Sequence, residues 1–206
     1  MFAKLQPASE LLPDGKCPRI AVFQEGALEP AEVAIRSPHD QILVAVGNNL
    51  NVCAAFSGHP GIGVYPAYRA LQLAKARGFQ TKMFPAVSAI DCLFADLGVD
   101  PANGCQLFEA ETLLDRNYHL DPQSCVILFQ VGVIGVRRHT NHGKVRIDGV
   151  ERLTRFLRKY YPSDHEAVVY EAATLPILPP RIDRVQLSLL PKVTLTPIST
   201  LYVPPR

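Results

Sequence analysis

A glycine-rich turn with a histidine inside it is the feature of the sequence best suited to chemistry. It follows the apolar run Val52–Phe56, which is typical of a buried strand. The turn consists of Ser57, Gly58, His59, Pro60, Gly61 and Ile62. Glycine lets the backbone approach a bound molecule, so a glycine-rich turn after a buried strand predicts a ligand-facing edge. It matches neither G-x-G-x-x-G nor a phosphate loop, and His59 either contacts a ligand or hydrogen-bonds to the turn backbone.

Two further polar side chains stand at the ends of predicted elements. Ser88 begins a Ser-x-x-Asp pattern, which predicts a helix N-terminus stabilised by on the order of 1 kcal/mol, and a ligand contact would be additional. Gln130 ends an apolar run and needs hydrogen-bond partners wherever it lies, so a ligand is one candidate among several. His139, His142 and His165 lack the spacing of metal ligands, and no metal site is predicted.

The composition is that of an ordinary globular protein, with 48% hydrophobic and 19% charged residues. A net charge of +2 is too small to indicate binding to nucleic acid. The 5 cysteines include no C-x-x-C pair, which favours free thiols in a reducing compartment. No apolar run reaches the roughly 18 residues of a membrane span, and no signal pattern opens the sequence. We therefore expect a cytoplasmic protein that binds neither membranes nor nucleic acid.

Strand-like and helix-like segments alternate along the chain, which predicts an α/β protein with ligands at strand ends. In the first half the predicted elements are a strand at Arg19–Phe23, a helix ending at residues 42–46, a strand at Val52–Phe56, a helix from Pro66 to Gly78, a strand at residues 79–84 and a helix from Ser88 to about Leu97. In the second half they are a buried strand at residues 125–131, a helix at 149–161, a strand at 167–170, a strand or helix at 181–190 and a strand at 193–203 broken by Pro197.

Several short motifs stand in one order with spacing typical of one family. They are Gly58-His59-Pro60-Gly61, Pro85-Ala86-Val87-Ser88-Ala89, Gln130-Val131-Gly132 and Ile198-Ser199-Thr200-Leu201-Tyr202. In this arrangement the chain resembles the tetrapyrrole (corrin/porphyrin) methylase superfamily. Within that superfamily, residues 91–97, 104–106 and 202–205 look most like the branch of borosin-type peptide backbone α-N-methyltransferases. The resemblance covers about residues 52–206.

The resemblance implies two α/β lobes with a cleft for S-adenosylmethionine between them. The lobes would be a partial, divergent N-terminal lobe at residues 1–86 and a C-terminal α/β lobe at residues 87–206. From the first lobe the implied cofactor contacts are Ser57, Gly58, His59, Pro60, Gly61 and Ile62. Ser88 and Ala89 would contact the amino-acid end or the sulfur region. On the adenosine side the implied contacts are Gln130, Ala172, Ala173, Ser199 and Thr200.

The first lobe departs from the family pattern at three points, which are the missing first strand, Phe23 and Ser57. No counterpart of the family's first strand and its glycine-rich turn is found, so a truncated first lobe is expected. Arg19 corresponds to the arginine expected at the acceptor amide, which makes it the candidate catalytic residue. Phe23 and Ser57 stand where the family has tyrosines. The chain is therefore either a methyltransferase acting on peptide backbone amides or a catalytically inactive cofactor-binding or scaffold homologue. In either case the uncovered sheet edge predicts a homodimer or pairing with a related chain.

Overall fold

The protein is described by a computed structural model over residues 19–23, 38–48, 50–56, 58–136, 146–175 and 177–206. The chain forms two compact units, Met1–Ser88 and Ala89–Arg206. In the parts of the chain given above, no helix is long and apolar enough to span a membrane.

The first unit contains a parallel pair of strands and two helices. In chain order its described elements are β1 (Arg19–Phe23), α1 (Pro38–Gly47), β2 (Val52–Phe56) and α2 (Tyr65–Ala76). The two strands pair in register, with Ile20 opposite Cys53 and Phe23 opposite Phe56. Both predicted strands are confirmed. The predicted helix end at residues 42–46 is also confirmed within one residue, because α1 continues to Gly47.

The second helix of this unit begins and ends where its sequence predicts. Pro66 lies in the first turn of α2, where a missing N–H donor costs no helical hydrogen bond. Ala67, Ala70 and Ala74 form the buried face. Gly78 has a φ of +83° and its N–H donates to the carbonyl of Lys75, so the chain leaves the helix in the left-handed region that favours glycine.

The predicted strand at residues 79–84 is wrong, because this segment is irregular and pairs with no described strand. The N–H of Phe79 donates to the carbonyl of Ala74 and so continues the hydrogen bonding of the helix end. Phe84 is 46% exposed, with the Lys82 ammonium 4.7 Å from its ring centroid. The strand prediction therefore fails because the segment has no described neighbouring strand with which to form a ladder.

The second unit is a five-stranded sheet with helices on its faces. Its helices and strands are α3 (Ala89–Leu97), β3 (Cys105–Glu109), α4 (Ala110–Arg116), β4 (Cys125–Phe129), α5 (Ile147–Leu157), β5 (Glu166–Glu171), β6 (Arg181–Gln186) and β7 (Thr200–Val203). The strand order is β3-β4-β7-β5-β6. The strands β3 and β4 are parallel, whereas β7 is antiparallel to both of its neighbours and β6 is antiparallel to β5.

Strand β4 is buried on both faces, as its continuous apolar run predicts. Val126 and Leu128 belong to the larger core, which includes the apolar face of α5. Ile127 on the opposite face packs in a second cluster with Ile90 and Leu93 of α3. The predicted helices at Ser88–Leu97 and residues 149–161 and the predicted strand at 167–170 are likewise confirmed, with small differences at their ends.

Two regions of the second unit differ from the sequence-based expectation. Residues 181–190 are both strand and helix, since β6 is followed by a 3-10 helix at Leu187–Lys192. The last strand is only Thr200–Val203, because residues 196–199 form a turn in which the N–H of Thr196 donates to the Ser199 hydroxyl. Strand β3 and helix α4 had not been predicted. Strand β3 is half-buried to exposed along its length, and α4 is only 7 residues long, so neither leaves a long periodic pattern.

Candidate functional site

Several of the predicted site residues meet at one edge of the second unit's sheet. The strands β4 and β5 run in the same direction, and β7 lies between them in the opposite direction. The carboxyl ends of β4 and β5 and the amino end of β7 therefore share an edge, with Leu128 opposite Leu201 and Tyr170 opposite Thr200. The predicted residues at this edge, called the sheet edge below, are Gln130, Ala172, Ala173, Ser199 and Thr200.

At the end of β4 the backbone turns sharply. Gln130 has φ 58° and ψ 34°, a left-handed conformation that few residues other than glycine adopt. The next N–H, that of Val131, donates to the carbonyl of Ser199 at 3.3 Å. A Cβ built on Gly132 would lie 2.1 Å from the carbonyl oxygen of Thr196, so only glycine fits there. The turn after β4 and the turn before β7 are thus packed backbone against backbone.

A carboxylate that the sequence analysis did not assign to the site lies at the same edge. Glu171 ends β5, and its Oε1 accepts hydrogen bonds from the Ser199 hydroxyl at 2.5 Å, the Thr196 hydroxyl at 2.8 Å and the Arg181 guanidinium at 2.9 Å. Ser199 is fully buried, and its hydroxyl also accepts from the N–H of Thr196. The Ser199 hydroxyl is therefore engaged within the protein. A ligand contact at this residue would be made by its other atoms.

The surroundings of Glu171 favour its charged form. Burial raises its pKa, but the hydrogen bonds from Ser199 and Thr196, together with the nearby Arg181 charge, outweigh burial and hold the pKa below its ordinary value. Glu171 is therefore ionised at neutral pH. The only sequence signal was an acidic residue at the end of a buried strand, and nothing local in the sequence indicates that its partners are 10 to 28 residues away.

In the first unit the glycine-rich turn follows β2 directly. Gly58 has a φ of +77°, and the Nδ1 of His59 accepts a hydrogen bond from the N–H of Gly61 at 2.9 Å. His59 is thus hydrogen-bonded to the turn backbone, and its contact with a ligand stays a prediction. In the neutral ring this bond leaves the proton on Nε2, which can donate outward. The hydroxyl of Tyr68 donates to the carbonyl of Gly61 at 2.8 Å and braces the turn from α2.

The turn also approaches the residues that precede Ser88. A Cβ built on Gly58 would lie 3.7 Å from the carbonyl oxygen of Val87, and one on Gly61 would lie 3.0 Å from the Met83 sulfur. Ser88 itself is buried, and Ala89 begins α3. Pro60 is half-buried and Ile62 is 37% exposed.

The remaining positions from the sequence analysis are Ser57, Arg19 and Phe23. Ser57 lies outside the described residues. Arg19 and Phe23 begin and end β1, where Arg19 pairs with Val52 and Phe23 with Phe56. The backbone of Phe23 is therefore at the turn end of β1, and that of Arg19 is at the opposite end, roughly 13 Å away along the strand. Across the described ranges, no three His, Cys, Asp or Glu side chains are grouped to hold a metal ion.

The chain matches a family model and curated proteins over most of its length. The model for Tetrapyrrole (Corrin/Porphyrin) Methylases matches residues 3–177. The methyltransferase and ribosomally synthesized cyclic peptide gymnopeptides precursor of Gymnopus fusipes is 40% identical over 188 residues, which are 87% of this chain and 42% of that protein. The corresponding omphalotin A precursor of Omphalotus olearius is 37% identical over 172 residues, 78% of this chain and 40% of that protein. The chain thus spans less than half the length of these relatives.

A third relative carries the borosin name. The methyltransferase and type III borosin cyclic peptide precursor of Anomoporia bombycina is 38% identical over 198 residues, covering 94% of this chain and 22% of that protein. Together these similarities support the borosin branch indicated by the sequence motifs. They also cover most of the residues before Val52, where the sequence resemblance supported only the assignments of Arg19 and Phe23.

Solved structures share the fold at low sequence identity. A cobalt precorrin-4 methyltransferase of cobalamin biosynthesis aligns with a TM-score of 0.61 at 11% identity over 90% of this chain and 83% of that chain. Diphthine synthase aligns with a TM-score of 0.55 at 15% identity over 79% of this chain and 63% of that chain. The predicted α/β fold of the tetrapyrrole methylase type is confirmed.

Proposed function

We propose that this chain, which belongs to the tetrapyrrole (corrin/porphyrin) methylases, is an S-adenosylmethionine-dependent methyltransferase that acts on peptide backbone amides. The relatives described above are named both as methyltransferases and as precursors of cyclic peptides. That pairing supports a peptide as the methyl acceptor. It favours an active enzyme over the inactive scaffold that the sequence left open.

The observation that carries the proposal is the convergence of separate segments at the sheet edge. The ends of β4 and β5 are 42 residues apart in sequence, and the end of β5 and the start of β7 are 29 apart, yet the topology places all three side by side. Ligands of α/β proteins bind at the carboxyl ends of strands, which is where this edge lies. Each segment carries residues that the resemblance implies on the adenosine side of the cofactor.

The residues present fit S-adenosylmethionine. Its adenosine offers hydrogen-bond donors and acceptors that backbone groups satisfy, and its sulfonium is disfavoured by a nearby uncompensated cation. At the sheet edge, Ala172 and Ala173 are half-buried and add no charged side chain, and Arg181 is neutralised by Glu171 and Asp183. The glycine-rich turn likewise brings backbone groups and the half-buried His59 ring to its surface without a charged side chain.

The residues that would hold the cofactor fall into two sets. On the adenosine side they are Gln130, Ala172, Ala173, Ser199 and Thr200. At the amino-acid and sulfonium end they are Ser57, Gly58, His59, Pro60, Gly61, Ile62, Ser88 and Ala89. When bound, S-adenosylmethionine supplies an activated methyl group, and the chain's own task is to hold and orient the two reactants. Arg19 is proposed as the catalytic residue that would stabilise the acceptor amide while its nitrogen exchanges the N–H proton, released to solvent, for the methyl group, with S-adenosylhomocysteine as the leaving product.

We also propose a homodimer, or pairing with a related chain, in the cytoplasm. Among the described residues, β1 and β2 pair only with each other, so each has an edge that no described strand covers. Uncovered strand edges are commonly paired by another chain. All four described cysteines are free, which supports a reducing compartment. Light scattering tests the assembly, and a monomer at micromolar concentration would contradict it.

Calorimetric titration with S-adenosylmethionine tests the cofactor part of the proposal. We expect saturable binding with one site per chain. A folded protein, shown by a cooperative thermal melt, that releases no heat of binding at millimolar ligand would refute it. Binding without any methylated peptide product would instead support the inactive homologue, so the two functions are separated by turnover.

A further inference from the structure

We infer that Glu171 is a positioning residue that holds the sheet edge in the shape required by the cofactor. The inference rests on the proposed function, because it assigns Glu171 a role at the adenosine side of that site. The side chain of Glu171 is 15% exposed and lies at the end of β5, directly opposite Arg181 of β6. It does not belong to the set of residues that the sequence motifs place against the ligand.

Three hydrogen bonds converge on one oxygen atom of Glu171. The Oε1 of Glu171 accepts from the hydroxyls of Ser199 and Thr196 and from the guanidinium of Arg181. Hydrogen bonds to a charged acceptor are stronger than neutral ones. A single carboxylate oxygen therefore links the turn before β7 to Arg181 of β6.

The hydrogen bonds around Glu171 also fix the segment 194–199. Arg181 also donates to the carbonyl of Thr194 at 2.7 Å, so both ends of the segment 194–199 are tied to the Glu171 cluster. That segment supplies the carbonyl of Ser199 to the N–H of Val131, and it presses the carbonyl of Thr196 against Gly132. The position of the turn after β4 thus depends on a segment that Glu171 fixes.

A second ion pair across the same two strands serves as a comparison for Glu171 and Arg181. Glu166 and Arg184 also pair across β5 and β6, at 2.7 Å, but near the opposite end of the hairpin. Their side chains are 54% and 63% exposed, and the pair has no described hydrogen bond to a loop. Exposed pairs of this kind contribute little to stability. Glu166 is therefore a matched control for Glu171, with the same residue type, partner type and strands.

The test measures the affinity of the full chain for S-adenosylhomocysteine and the amide hydrogen exchange of the ligand-free protein. We expect Glu171→Ala to weaken binding about tenfold, equivalent to about 1.4 kcal/mol, and to speed exchange at Val131 and Thr196. Glu171→Gln retains an oxygen at the Oε1 position, so it should recover most of the affinity. Glu166→Ala should stay within about twofold of the unchanged protein in both measurements.

If Glu171→Ala does not fold, Ser199→Ala takes its place. It removes the hydroxyl that links Glu171 to the N–H of Thr196 while leaving the Glu171 ion pair intact, and it should show the same two effects more weakly. A folded Glu171→Ala protein with unchanged affinity, or with unchanged exchange at Val131, would overturn the inference and leave the proposed function standing. Failure of the unaltered chain to bind S-adenosylhomocysteine would overturn both.

Discussion

Replacing Gly132 by alanine should damage the sheet edge more than any other single methyl addition there. The new Cβ would lie 2.1 Å from the carbonyl oxygen of Thr196. An ordinary contact between nonbonded heavy atoms is about 3.5 Å, so the turn must move by about 1 Å or more. The obstructing atom belongs to the backbone, which no rotamer change can move aside.

The cost follows from that movement. Overpacking of a tightly packed site costs typically about 1–3 kcal/mol. The displaced turn also stretches the 3.3 Å hydrogen bond from Val131 to Ser199, which is worth about 1 kcal/mol. We therefore expect Gly132→Ala to lower the free energy of unfolding by roughly 2–4 kcal/mol and to weaken binding of S-adenosylhomocysteine.

Urea denaturation with a stability fit measures the first effect, and calorimetry measures the second. Gly47→Ala is the control, because Gly47 ends α1 and a Cβ there meets no atom within 4 Å. That variant should be neutral or stabilised by up to about 1 kcal/mol. If Gly132→Ala unfolds at the same urea concentration as the parent and binds equally well, then the close packing of the two turns, and its role in the site, are refuted.

Three further perturbations probe other contacts. Folding lowers the pKa of Glu171, so the stability that this carboxylate contributes is present above its unfolded-state pKa and is lost as the pH falls through its folded-state pKa. Glu171→Gln should therefore make the free energy of unfolding less dependent on pH in this acidic range. An unchanged dependence on pH would contradict this. Tyr170 is fully buried and donates to Asp96 at 2.6 Å, so Tyr170→Phe should cost about 1–2 kcal/mol in urea denaturation, whereas no loss would mean that this bond contributes nothing. Tyr68 is 55% exposed, so Tyr68→Phe should lower the free energy of unfolding by under about 1 kcal/mol. The affinity of this variant for the cofactor reports whether the hydrogen bond from Tyr68 to Gly61 contributes to binding.

The parts of the fold that were predicted are those whose burial leaves a pattern in a few consecutive residues. Strand β4 lies between two cores, so every side chain from Cys125 to Leu128 is apolar. Helix α5 has one buried and one exposed face, and its apolar residues recur at helical spacing. In both cases the local sequence carries the information because the tertiary environment is uniform along the element.

The errors arise where pairing decides the structure. Residues 79–84 have a strand-like pattern but lack a described partner strand, whereas β3 has a weak pattern yet pairs along β4. Leu107 of β3 is 46% exposed, so its apolar character does not mark a core position. Whether a segment finds a partner strand depends on distant parts of the chain, which periodicity does not report.

The candidate site likewise contains some residues that the local sequence predicts and others that depend on the pairing of distant segments. Short motifs predict Gln130, Ser199 and Thr200 as site residues, and the topology brings these three residues to one edge. Glu171 was not assigned to the site, because its partners are brought to it by the pairing of β5 with β6 and β7. A single carboxylate in sequence gives no sign of such a cluster. The conformation of Gln130 was also unexpected, since a left-handed glutamine has no compositional signature.

The central claim is methyl transfer to a peptide backbone, and transfer of an isotopic label tests it most directly. The chain is incubated with S-adenosylmethionine labelled in its methyl group and with cyclic-peptide precursor segments of the relatives, and the peptides are sequenced by mass spectrometry. We expect label on backbone nitrogens, and loss of that label in Gly132→Ala. A folded chain that binds the cofactor but leaves every peptide unlabelled would contradict methyl transfer to a peptide backbone.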